Sequence, residues 1–251
     1  MTQTEPHMLT LGSAKMTSLY SLFGNIQREL AGAKTLDKAA QTCADLLYNQ
    51  FPDSLALVRL YATVPYGVLP QWNKDFVDGL AKAKQISVSN RTPVLSLMGT
   101  RGAKASWGDR KQSQGHVGIP LASSAFVESI PMVARLFSDL GVKLDWIDKP
   151  ELGINTTRAE WSGLFHVPDA KTTKDQKDRF IIPAQDFVSE QDVKTVFGVG
   201  GSYGDANQTL FAAILFTKEN IPKDVAEKFL PLVTTFKSGT TEMVKTGTMF
   251  N

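Results

Sequence analysis

Cysteine and histidine are scarce in this chain: 251 residues hold one cysteine, Cys43, and three histidines, His7, His116 and His166. A single thiol excludes an internal disulfide. The three imidazoles share no metal-ligand spacing, so no metal site is assigned. An excess of one charge is missing too: 27 basic and 25 acidic residues are mixed along the chain, and no basic stripe points to nucleic acid or an anionic membrane. No apolar run is long enough to cross a bilayer. Met1 to Met16 has neither a basic leader nor an apolar core, which argues against a secretory signal. The expectation is a cytoplasmic protein without nucleic-acid or membrane partners. Also absent are a nucleophile elbow, a His-Glu pair at zincin spacing and paired carboxylates. No catalytic residue and no particular cofactor is therefore assigned, and the chain is read as a non-enzyme.

What is present is an architecture, centred on Val193 to Phe236. Val193 to Tyr203 and Thr209 to Thr217 flank the turn residues Gly204-Asp205-Ala206-Asn207 and predict a β-hairpin. Seven successive apolar residues, Leu210 to Phe216, fit a strand covered on both faces near the centre of a sheet. Pro222 opens a helix in which Val225, Phe229, Leu232, Val233 and Phe236 make one apolar face. That helix should cover one side of the hairpin, giving a two-layer α/β (α+β) arrangement on a largely antiparallel sheet, with the chain trailing off after Gly239. Gly198 to Gly204 is no dinucleotide loop, because Tyr203 stands where the third glycine belongs and a strand follows. Glycines within a strand mark a bulge or a close approach instead.

Residues 1–15 read as a loose tail and 16–251 as one domain, since no repeat or low-complexity linker divides them. Met16, Leu19, Phe23, Ile26 and Leu30 follow coiled-coil spacing for two heptads. Such a helix either lies on its own domain or pairs with its twin in a homodimer. Thr35 can cap a second helix carrying Leu36, Ala39, Ala40, Cys43, Leu46 and Leu47 on one face. Cys43 there reads as a small buried hydrophobe. Leu55 to Ala62 is a strand whose only charge is Arg59. A loop through Pro65 and Pro70, a short helix over Lys74 to Lys84, a strand over Thr92 to Gly99, a further strand over Lys143 to Ile147 and a charged loop over Lys171 to Arg179 complete the outline.

The most unusual stretch runs from Ser106 to Leu121. Trp107, Arg110, Ser113 and His116 recur every third residue, so a helical turn or two would set neighbours on one side. A helix from Ser123 or Ser124 follows, with Pro131 kinking it or starting a second one, and Gly141 ending it. Together with Ser54 to Tyr61, Phe165 to Ala170, Ile182 to Val188 and Val196 to Gly201, this stretch resembles a GAF-like sensory region of bacterial signalling proteins. The resemblance runs from about Leu36 to Thr235. Such regions usually precede histidine kinase or cyclase output domains, and none is expected here.

The resemblance implies a GAF/PAS-like central antiparallel sheet with flanking helices. It also implies a ligand site between the sheet and the connections of its middle strands. Trp107, Arg110, Ser113, His116 and Phe126 would line that site on one side, and Phe165, Phe197 and Ser202 on the other. Trp107 offers a stacking face and Arg110 a planar fork for a carboxylate or phosphate. Against this, Arg110 could pair with Asp109 or Asp186, and Trp107 could be core. Bilin-carrying relatives attach their chromophore through a cysteine placed differently from Cys43. The functional expectation is a sensory protein that binds an unidentified small molecule and signals through homodimer contacts or a signalling partner. The alternatives are a ligand-free dimerisation or docking scaffold, and a small enzyme using His116 and Asp186.

Overall fold

A computed structural model of the protein describes residues 10–113, 115–149, 162–204 and 209–251. The hairpin is formed by β5 (Thr195–Ser202) and β6 (Leu210–Thr217), paired antiparallel from Thr195 with Thr217 to Ser202 with Leu210; most of its turn lies outside the described residues. β1 (Leu55–Pro65), β2 (Pro93–Gly102), β3 (Gly118–Pro120) and β4 (Ser162–Val167) complete a sheet of order β3-β2-β1-β6-β5-β4. Every neighbouring pair is antiparallel. The uninterrupted apolar run of β6 is explained by its place between β1 and β5, where every residue is buried. The fold is thus α+β, a central antiparallel sheet flanked by helices.

Both faces of the sheet are covered, which corrects the two-layer expectation. On one face lie α1 (Met16–Leu30), α2 (Leu36–Gln50), α8 (Lys223–Glu227) and α9 (Pro231–Lys245), packed on Phe197, Val199, Phe211, Ala213 and Leu215. On the other lie α4 (Ser124–Glu128), α5 (Pro131–Asp139), α6 (Asp145–Asp148) and α7 (Gln185–Glu190), packed on Val196, Ala212, Ile214 and Phe216. Alternation along β5 and β6 sends successive side chains to opposite layers, and apolar residues at both parities fill both. α3 (Gln71–Lys84) follows β1 and packs near β3. No helix among the described residues is long and apolar enough to cross a membrane.

Several expectations change. Lys143 to Ile147 is no strand: α6 forms at Asp145 and turns the adjacent residues Trp146 and Ile147 both inward, where a strand would have pointed one outward. Pro131 starts a separate helix at a position where its missing N–H costs nothing. Pro231 does the same for α9, which continues past Gly239 to Lys245. Gly239 is where α1 crosses α9; a Cβ there would lie 3.0 Å from Leu30 Cβ. The glycine permits the crossing and does not end the helix.

The α1 seam is covered within the chain, since Leu19, Phe23, Ile26 and Leu30 are buried against α9 and α2. Thr35 holds the N-cap position of α2 without a side-chain capping bond. The amides of Leu36 and Asp37 donate instead to the carbonyls of Thr248 and Met249, both at 3.0 Å. Leu11, placed in the expected tail, is fully buried and donates its amide to Ser54 Oγ and Glu219 Oε1. The glycines of β5 do mark close approaches: Ile214 Cδ1 fills the space beside Gly198, and Leu140 Cδ1 that beside Gly200.

Candidate ligand-binding site

The layer of α4 to α7 leaves a cavity of about 680 Å³ above the middle of the sheet, within the range of small-molecule sites. Its floor is Leu57 and Arg59 of β1 and Phe216 of β6. Trp107 and His116 enter from the connection between β2 and β3, and Phe187 from α7.

Arg59 shares its face with Leu57 and Tyr61, so strand alternation sends its guanidinium into the cavity floor. The residue is only 9% exposed. Nη1 donates to the Gly115 carbonyl at 3.2 Å and lies 3.4 Å from Tyr61 Oη. These bonds fix the guanidinium and hold the chain at Gly115 and His116, which have φ of +65° and +52°. A left-handed conformation is ordinary for glycine and uncommon for histidine. His116 is thereby turned toward the cavity, and burial, then the Arg59 charge, lower its pKa from the ordinary 6.5.

The aromatic wall is ordered edge to face. The Trp107 and Phe187 ring centroids are 5.6 Å apart at 65°, and those of Phe187 and Phe216 are 5.5 Å apart at 86°. At the mouth, Lys104 Nζ lies 5.2 Å from the centre of the Trp107 ring and 3.6 Å from Glu190 Oε2.

Of the eight residues expected at a site, two line this cavity, Trp107 and His116. Two short 3₁₀ turns, Ala105–Gly108 and Arg110–Gln112, are separated at Asp109, whose backbone is extended. The three-residue spacing therefore does not place its members on one side. Arg110 points to the α2 side, where Nη2 is 2.5 Å from Asp37 Oδ2 and Nη1 is 3.4 Å from the Leu97 carbonyl. Trp72 and Phe250 flank the guanidinium at 5.6 and 5.9 Å. The pairing carboxylate is Asp37, neither Asp109 nor Asp186. β3 pairs with β2 over Val94 to Ser96 and the Leu97 amide still donates to the Val117 carbonyl, so the Leu97 carbonyl is where the pairing ends, and Arg110 donates to it. Gln41 does the same at Thr100, accepting from its amide and donating to its carbonyl.

The other five lie elsewhere. Ser113 Oγ donates to the Asp109 carbonyl at 3.4 Å. Phe126 and Phe165 belong to the packed core on the cavity side. Phe197 faces the opposite layer, edge-on to Phe229 at 5.3 Å. Ser202 Oγ accepts from the Gly204 amide at the hairpin end. Asp186 is exposed in the first turn of α7 and makes no hydrogen bond to His116 among the described residues. His166 lies on β4 with Nε2 2.9 Å from the Ile221 carbonyl. No group of metal-ligating side chains is found among the described residues. Cys43 is fully buried in the opposite layer, and burial pushes its thiol pKa up, leaving little thiolate. Arg59, Phe187 and Phe216 were missed as site residues, although a lone charge in an apolar strand was a readable signal for Arg59.

No family model matches the chain, nor does any curated protein sequence. Solved structures similar to it include a free methionine-R-sulfoxide reductase from Neisseria meningitidis, at 11% identity and TM-score 0.49 over 96% of this chain and 99% of that one. A GAF domain of a phosphoenolpyruvate-protein phosphotransferase from Coxiella burnetii has 11% identity and TM-score 0.48, over 93% and 99%. The phycoerythrobilin-bound GAF domain of a cyanobacterial phytochrome has 10% identity and TM-score 0.45, over 94% and 99%. The likeness is one of chain course, and the ligands and activities named for those proteins stay with them.

Proposed function

We propose that this chain is a GAF-like regulatory module that takes up a small molecule in the cavity above β1 and β6 and passes its occupancy on through contacts with a partner protein or a second copy. The observation that carries this reading is the cavity itself: a space of small-molecule size in which a held guanidinium faces an aromatic wall. A cleft of this extent with aromatic walls and a few placed polar groups is the usual form of a small-molecule site. A binding role is favoured over a catalytic one because His116 and Asp186 do not form an acid-base pair. A ligand changes the population of a conformation only by as much as it prefers it, and the connection carrying Trp107 and His116 is the segment whose position occupancy would change. A second copy or partner would have to dock elsewhere than the α1 seam, which α9 and α2 already cover. The reading includes a cytoplasmic setting.

Native mass spectrometry of the protein purified from its own host tests it. A retained small molecule is expected, released on unfolding and lost in the cavity-filling variant Leu57→Trp, provided that variant keeps the native circular dichroism. Protein that carries no added mass and gains no thermal stability from any of a panel of metabolites would favour the ligand-free docking scaffold.

A further inference from the structure

The cavity is chemically two-sided. One part of its lining is Trp107, Phe187 and Phe216, whose rings meet edge to face and together form an aromatic boundary. The other is the Arg59 guanidinium beside His116, on the floor and the adjoining connection. Among the charged lining residues Arg59 and Lys104 are basic and Glu190 is acidic, and Lys104 and Glu190 pair at the mouth. The positive side chain set deepest is therefore Arg59, whose planar fork matches two oxygens of a carboxylate or phosphate. Its bonds to Gly115 and Tyr61 hold it in position before any ligand arrives, so little ordering is lost on binding.

We propose that the cavity selects an anionic small molecule with a flat conjugated body, its acid group set between Arg59 and His116 and its ring system against Trp107, Phe187 and Phe216. This rests on the preceding reading that the cavity holds a small molecule, and it adds the ligand class. Among the described residues, the charged groups that line the cavity with His116 are Arg59 of β1, Lys104 of its own connection and Glu190 of α7, and Tyr61 of β1 lies against Arg59. In the empty site, burial and the Arg59 charge disfavour imidazolium. A bound anion offsets that repulsion, so binding takes up a proton at His116 and tightens as pH falls.

The test is titration calorimetry of the full chain with four probes: 2-naphthoate, its neutral amide 2-naphthamide, 2-naphthylmethylammonium and inorganic phosphate. Naphthoate is expected to bind at least about tenfold more tightly than the amide, because the charge-assisted fork is lost with the charge. Phosphate, which has no ring, should bind about tenfold or more weaker than naphthoate. Naphthoate affinity should rise as pH falls, by at most about tenfold per pH unit as His116 takes up one proton on binding, and His116→Gln should flatten that slope. Arg59→Lys should weaken naphthoate about tenfold while leaving the amide unchanged. If Arg59→Lys does not fold, Phe187→Leu serves in its place and should weaken all three ring-bearing probes together. Equal binding of amide and naphthoate, or tightest binding of the ammonium, overturns the ligand class while leaving the small-molecule reading intact. Phosphate binding as tightly as naphthoate overturns the ring contact. If no probe binds and native mass spectrometry also finds no retained molecule, the reading beneath it falls as well.

Discussion

The two faces of the sheet are made by the same strands and differ in how completely they are filled. On the α1, α2, α8 and α9 side, Phe229 sits among Phe23, Phe51 and Phe197 at centroid distances of 6.2, 6.4 and 5.3 Å, and Phe211 stacks on Phe236 at 4.1 Å. On the other side, short helices and the connection from β2 to β3 cover the ends of the sheet and leave space over Leu57, Arg59 and Phe216. Long helices with a continuous apolar stripe can close over a sheet, whereas four short helices interrupted by loops cannot cover the same area without gaps. Both faces bury an apolar core, and the second leaves a space of about 680 Å³ beside it.

The largest expected effect lies on the closed face. Phe229→Ala should lower the free energy of unfolding by about 3–5 kcal/mol in denaturant titrations, as large cavities in packed cores do. Next is Arg110→Ala, which strands the buried Asp37 carboxylate and leaves the Leu97 carbonyl uncapped; a loss of about 3 kcal/mol is expected. A loss below about 1 kcal/mol would return Arg110 to the pool of ligand-facing residues. Gly99→Ala should cost about 1–3 kcal/mol, because its Cβ would come within 2.4 Å of the Ala40 backbone and push α2 off the sheet. Phe187→Ala, on the open face, should cost only about 1 kcal/mol. Should it match Phe229→Ala, the two faces are packed alike and the cavity is not a true space.

The smallest effect is one of pH. Burial and Arg59 hold the folded-state pKa of His116 below its ordinary 6.5, so the unfolded chain binds the proton first. Stability from this group is complete above about pH 6.5 and declines as pH falls through that value toward the lower folded-state pKa. His116→Gln should remove that part of the decline. An unchanged pH profile in the variant would mean that the imidazole is not enclosed with Arg59.

Much of this arrangement could be read from short-range pattern. The apolar run of β6 announced a central strand, and Arg59 stood out as the charge in β1. The partner of Arg110 could not be read, because Asp37 lies 73 residues away. It came beside the guanidinium only when α2 packed on β2. Phe197 shows the same limit: alternation fixed that it shares a face with Val199, but not that Phe229, between α8 and α9, rather than the cavity would lie beyond that face.

What the amino-acid sequence settled alone was β1, β2, the β5–β6 hairpin and the longer helices, because hydrophobic period, caps and prolines act over a few neighbouring residues. Which side of the sheet was sealed, and which of two arginines faced the remaining space, was decided by tertiary packing. Those outcomes depend on how far β3 pairs along β2 and on where distant helices come to rest, quantities that no local window contains.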